Sequence, residues 1–214
     1  MRYFIIVGLI LIIILGFNFT KLGKRAKVWL KPNFVTNSIK SRKSQDEIPL
    51  KTLIDSAQKV SLNKKLGLKK LSVRVSKKQY QLDVLYGNDV LKSYPIVLGF
   101  EPEADKMQEG DGCTPEGTFH IKAKYPHASW SKFMWIDYPN SSSWEKFKKN
   151  KASKAITSNA TIGGEIGIHG TPKDRDYVVE KGINWTLGCI CLKNHHINEL
   201  YNNLKVGTQI VIKK

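Results

Sequence analysis

A nucleophile and a base are the first things to seek among the three cysteines and five histidines of this 214-residue chain. Two segments supply a pair. Ile166-Gly167-Ile168-His169-Gly170 ends an apolar stretch in a histidine, and Trp185-Thr186-Leu187-Gly188-Cys189-Ile190-Cys191-Leu192 sets a cysteine directly after a glycine. A thiol enzyme needs a thiolate, a base to form it and donors for the oxyanion of a tetrahedral intermediate. Cys189 and His169 answer the first two needs. A protonated His169 beside the sulfur would lower the thiol pKa, so an ion pair can be the resting state. Gly188 lets backbone N–H groups of the Gly188-Cys189 step approach a carbonyl with no side chain in the way. Read as residues alone, each has an ordinary alternative: a small buried hydrophobe for Cys189, a hydrogen-bonded strand-end ring for His169.

Other chemistries fit less well. Cys189, Cys191, His195 and His196 lack the C-x₂₋₄-C and H-x₃₋₅-H spacing of structural zinc sites. No metal and no bound cofactor is expected, and Cys191 reads as a packed neighbour. Asp111 and Glu116 sit in Asp-Gly and Pro-Glu-Gly contexts, where turn formation explains them better than a pair of glycosidase carboxylates. Three cysteines are too few for a disulfide framework, and Cys189 and Cys191 are too close in sequence for an unstrained bridge.

The elements that must position this pair have a period of two. Leu71, Val73 and Val75 alternate with polar residues, as do Tyr80, Leu82, Val84 and Tyr86 before the Gly87-Asn88-Asp89 turn. Ser93–Phe100, Thr118–Ile121, Thr161–His169 and Thr208–Ile212 read as further strands, and Asn194–Leu204 as a short helix capped by Asn194. A mainly β fold, sandwich or barrel, follows. Between Tyr125 and Trp144 lie six large aromatics, which serve either as packing or as a lid over a substrate.

His169-Gly170, a variable loop and Thr186-x-Gly188-Cys189-Ile190 resemble the catalytic motif of the L,D-transpeptidase (YkuD-like) family. Gly110-Asp111-Gly112-Cys113-Thr114-Pro115-Glu116-Gly117-Thr118-Phe119 resembles that family's GDGxTPEGxF hairpin, and Gly207–Ile212 its closing strand. The resemblance covers residues 70–213 in order. It implies the family's β-sandwich-like catalytic domain with short helices, spanning residues 67–214. It also implies acyl transfer on peptidoglycan stem peptides, with Cys189 as nucleophile and His169 as base. Gly170, Thr186 and Trp185 are then the expected substrate-binding residues, with Arg175, a charged residue between His169 and Cys189, added as a candidate for a charged end of the substrate, and carbapenems would acylate the same thiol. Cys191 stands where many members carry Arg or Asn, so the chain looks closer to the YafK-like branch, some of whose members hydrolyse. A thiol hydrolase on the same scaffold, or a wall-binding module without catalysis, are the alternatives.

Residues 1–19 contain the uncharged apolar run Tyr3–Phe19, read as an uncleaved anchor or signal segment because no small-x-small cleavage site follows it. Residues 20–66 read as a basic linker, in which Ile48, Leu50, Leu53, Ile54, Ala57 and Val60 mark a short helix that docks on the domain or lies on the membrane. Of the net charge of +17, the first 66 residues hold 13 basic against 3 acidic side chains. Beside an apolar segment this suits anionic lipid head groups, or simply solvated lysine faces. No nucleic-acid-binding motif accompanies the charge, so no nucleic-acid partner is expected. The excess of lysine after the segment puts the bulk inside by charge alone, whereas the wall chemistry requires it membrane-anchored and facing the periplasm or cell-wall side.

Overall fold

The computed structural model describes residues 48–63 and 70–214. Residues 1–47 and 64–69 lie outside them, and with them the apolar segment and most of the basic linker; no helix among the described residues is long and apolar enough to cross a membrane.

Eight strands form one sheet: β1 Leu71–Ser76, β2 Gln81–Tyr86, β3 Asp89–Pro95, β4 Gly117–His127, β5 Ser131–Ile136, β6 Gly167–Gly170, β7 Ile190–Leu192 and β8 Gln209–Lys213, in the spatial order β3-β2-β1-β8-β4-β5-β6-β7. The helices are α1 Leu50–Asn63, α2 Ser141–Ala152, α3 Tyr177–Glu180 and α4 Asn194–Asn203. The fold is mainly β with few helices. Alternation does the local work: Val73, Val75, Leu82, Val84, Ile210 and Ile212 all point into one core, with Phe119, Met134, Ile168, Ile190 and Leu192 from the other half.

The sandwich expected from the sequence takes the form of a sheet whose two halves share β4. Gly117–His120 pairs with β8, and from Ile121 onward the strand pairs with β5, with a bulge between Ile121 and Ala123. An 11-residue strand is long enough to belong to both halves. The two ends of the sheet then meet. After β3 the chain runs on as Ile96–Phe100, and Val97 and Cys191 exchange backbone hydrogen bonds of 2.9 and 2.8 Å, while Gly99 bridges Thr186.

Four sequence expectations change. The Tyr125–Trp144 aromatics are not one loop: β5 runs through them and buries Phe133. The long strand expected at Thr161–His169 shrinks to Gly167–Gly170, because Gly163 and Glu165 adopt positive φ and break the extension. The stretch before β4, expected as a hairpin, is irregular and held by side chains. Asn194 also lies inside α4 rather than at its cap: Lys193 is the cap residue, and the Asn194 amide donates to Thr171 Oγ1 at 3.0 Å.

The Ile48–Val60 pattern becomes α1, which docks on the domain. Leu50 and Ile54 are buried in the core. Glu199 on α4 ties it down: the carboxylate accepts from the Leu50 amide, from Lys92 Nζ at 3.0 Å and from Tyr94 Oη at 3.0 Å. Burial pushes this carboxyl up, but those donors outweigh it and hold it below its ordinary value. Glu199→Ala strands the buried Lys92 charge, so it is expected to lower unfolding free energy by about 3 kcal/mol in a urea titration.

Candidate active site

His169 is placed by its two neighbours in the sheet. On β6 it lies opposite Phe133 of β5 and in register with Cys191 of β7. The Phe133 and His169 rings stack with planes 5° apart and centroids 5.8 Å apart, Trp130 stacks on the imidazole at 4.6 Å, and Trp185 meets it edge-on at 5.7 Å. The histidine is 1% exposed. Its Nδ1 lies 2.7 Å from the carbonyl oxygen of Gly170. A carbonyl only accepts, so Nδ1 carries the proton and the lone pair sits on Nε2.

Cys189 precedes Cys191 by one pleat period, so the parallel register of His169 with Cys191 directs Cys189 toward the same side of the sheet. Both side chains line one cavity of about 720 Å³, together with Trp130, Trp185, Lys106 and Glu165 among others. The thiol lies 3.6 Å from the carbonyl oxygen of Glu165.

The loop that presents Cys189 is held by backbone contacts. Thr186 Oγ1 donates to the Cys189 carbonyl at 2.7 Å and accepts from the Gly188 amide at 3.2 Å, which makes a compact turn. Gly188 has φ +134°, and a Cβ there would sit 2.6 Å from the Cys113 carbonyl oxygen. Only glycine fits that contact. On its other side the loop is laced to Leu98–Phe100: the Leu98 amide donates to Asn184 Oδ1 at 2.9 Å and the Phe100 amide to the Thr186 carbonyl at 3.0 Å.

Cys113 belongs to the Gly110–Phe119 motif, whose role is to buttress this loop. Asp111 is its hub. Its carboxylate accepts from the amides of Met107, Gln108 and Cys113 at 2.7, 3.0 and 3.0 Å, and from Lys106 Nζ at 2.8 Å. Burial raises the Asp111 carboxyl, but the Gln108 amide, Lys106 and the other two amides prevail and hold it low. Glu116 likewise pairs with the buried Lys77 at 2.9 Å.

The site residues named from the sequence fall into different places. Cys189, His169, Thr186 and Trp185 line the cavity, whereas Gly170 and Arg175 do not. The Thr186 hydroxyl is taken up by its own turn. Gly170 is buried against the Trp130 carbonyl and Asn194, where a Cβ has no room, and its carbonyl holds His169. Arg175 is exposed in the turn before α3. Sequence reasoning missed Lys106, and it held Trp130 and Phe133 only within a group of six aromatics read either as packing or as a lid, of which Tyr125, Trp130, Phe133 and Trp135 line the cavity. The alternation of Phe133 with its neighbours carried a strand signal that the density of aromatics obscured.

Burial acts on both members of the pair in favour of their neutral forms, against the ion pair that the residue types allow. Burial pushes the Cys189 thiol up to about 11, with the Gly167 backbone and the charge of Lys106 acting the other way. Burial likewise holds His169 down to about 4, against the Gly170 carbonyl. Cys191 is fully buried and is pushed up to about 12, chiefly by burial. A neutral thiol and a neutral imidazole lining one cavity can act by passing the proton as the sulfur attacks, with no standing thiolate.

A family model described as the L,D-transpeptidase catalytic domain, YkuD, matches residues 71–212. The chain is 28% identical over 144 residues to YqjB of Bacillus subtilis (strain 168), itself provisionally assigned as an L,D-transpeptidase, covering 65% of this chain and 69% of that protein. Among solved structures it is similar to the helical cell shape determining protein Pgp2 from Campylobacter jejuni. That match has 23% identity and a TM-score of 0.50, covering 69% of this chain and 50% of that one. A single-residue variant of Pgp2 gives 21% identity and a TM-score of 0.51 over 68% and 47%. The chain thus spans about half the length of those structures, and the likeness is one of fold.

His169 predicts a pH dependence of stability. Unfolded histidine binds a proton near its ordinary value of 6.5, whereas the folded ring does so only near 4. Stability is therefore lost as pH falls from about 6.5 to about 4, by up to about 3 kcal/mol, and this contribution flattens below. Denaturation of wild type and His169→Gln across that range checks it: the variant is expected to lose much of the slope.

Proposed function

Because this chain belongs to the family of L,D-transpeptidase catalytic domains, YkuD, we propose that it is a cysteine-dependent acyltransferase that forms or remodels peptidoglycan L,D cross-links. The observation that carries this reading is the meeting of Cys189 and His169 on the wall of one cavity, with His169 Nδ1 occupied by the Gly170 carbonyl and Nε2 left as the base.

In the proposed cycle, Cys189 Sγ attacks the carbonyl that follows the L-centre of diaminopimelate in a tetrapeptide stem, and its proton passes to His169 Nε2. The oxyanion is met by the Cys189 amide, since the Gly188 amide is already spent on Thr186 Oγ1. The intermediate collapses with cleavage of the C–N bond. The imidazolium returns the proton to the departing amine of D-Ala, leaving a thioester on Cys189. An acceptor amine then attacks the thioester and gives its proton to His169. The C–S bond breaks, the thiolate recovers that proton, and an amide is formed. Burial favours this route, because a protonated His169 is costly in the resting cavity and forms only as charge develops on the substrate. Carbapenems present an acyl carbonyl to the same thiol and are expected to trap it. The apolar Tyr3–Phe19 segment would hold the domain at the membrane, facing the wall, where this substrate lies.

Tetrapeptide muropeptides incubated with the purified protein and resolved by mass spectrometry test the reading. A cross-linked dimer formed with loss of D-Ala, and reduced at least about a thousandfold in Cys189→Ala, is the expected result. Loss of D-Ala without a dimer would replace transfer by hydrolysis. No turnover, with sacculus binding retained in Cys189→Ala, would leave a wall-binding module.

The pH profile is a separate expectation. His169 must be neutral to act as base, so kcat/KM should stay level from pH 8 down to about 5 and fall only as the ring protonates near 4. An acid limb near 6.5 would show a solvated histidine and sink the buried-base mechanism.

A further inference from the structure

Lys106 is the only lysine or arginine among the described residues lining the cavity, and its side chain is 3% exposed. A buried ammonium has three N–H donors to satisfy. Asp111 Oδ1 takes one at 2.8 Å and the Gln108 carbonyl a second at 3.1 Å, which leaves a third donor on a side chain that lines this cavity and a smaller one beside Tyr138. Asp111 balances the charge only in part, because its carboxylate also takes three backbone amides whose dipoles add positive potential at the same spot. The other charged groups on the wall, Glu109 and Glu165, are exposed, where water and salt screen them. Lys106 therefore brings a fixed, desolvated cation to the cavity wall, opposed at Cys189 by the more exposed Glu165.

We propose that Lys106 is the carboxylate-recognition residue of this cavity, receiving a carboxylate of the peptide whose carbonyl meets Cys189. The assignment rests on the reading of the cavity as the acyl-transfer site. It makes Lys106 a specificity determinant: peptides with a free carboxylate at that position are selected over their amides, and the Asp111 hub keeps the ammonium in place. Its charge also acts on Cys189 in the direction that favours thiolate.

Two alkylating reagents of similar size separate recognition from nucleophilicity. Iodoacetate carries a carboxylate and iodoacetamide does not. The ratio of their rates at Cys189, read by peptide mapping at low ionic strength, cancels any change in thiolate fraction. In Lys106→Met the iodoacetate-to-iodoacetamide ratio is expected to fall about tenfold, the worth of one charge-assisted hydrogen bond, and Lys106→Arg should keep it. An unchanged ratio in Lys106→Met overturns the proposal. Should the methionine variant fail to fold, the wild-type protein decides. An N-acetylated stem peptide should protect Cys189 from iodoacetamide at about tenfold lower concentration than its fully amidated form, and equal protection overturns the proposal. Neither readout requires turnover, so a protein that forms no cross-link can still pass. Conversely, cross-linking with an unchanged ratio removes only the role of Lys106.

Discussion

The pair of backbone hydrogen bonds between Val97 and Cys191 is the constraint on which the site depends. It joins the two ends of an eight-stranded sheet, and Cys191 is at the same time in register with His169 on its other side. A residue held from both flanks cannot slip, because a shift of one position would turn every side chain of the strand to the opposite face. Cys189, two residues upstream, inherits that certainty. The nucleophile candidate thus stands at the end of a clamped strand, not on a free loop, which suits a reaction that tolerates little misplacement of its reacting atoms.

A second constraint is close backbone approach. Gly188 lies against the Cys113 carbonyl, and Gly99 and Gly112 are packed with no room for a side chain between these segments. Three stretches remote in sequence touch main chain to main chain beneath the cysteine. The GDGCTPEG segment supports the turn that bears the thiol, and Asp111 stiffens it by gathering three amides and a lysine onto one carboxylate. The cavity above is walled by aromatics, which explains why its histidine and cysteine are both driven toward their neutral forms. The same apolar wall gives Lys106, the one lysine or arginine lining it among the described residues, an influence it would lack in water.

Much of this was legible in the residues. Alternation marked β1 and β2, the apolar run of β8 marked the closing strand, and His169 and the Gly188-Cys189 step stood out by type and order. Less visible was β5, since a strand dense in Trp and Phe reads equally as packing. β7 spans three residues, too few for a period to show, and exists because β6 and the Ile96–Phe100 segment hold it on both sides. Lys106 was missed because a lysine in a strongly basic chain carries no local sign that it is buried.

The sequence by itself determined which side chains are able to do chemistry and which stretches alternate, because reactivity belongs to residue type and periodicity is local. Only the tertiary structure decided their state. Whether Cys189 and His169 rest as ions or neutral depends on how much water surrounds them, and that is set by Trp130, Phe133 and Trp185 arriving from other strands and loops. Whether Thr186 and Gly170 face a substrate or serve the backbone depends on partners distant in the chain. Desolvation and contact are properties of the packed whole, and no window of sequence contains them.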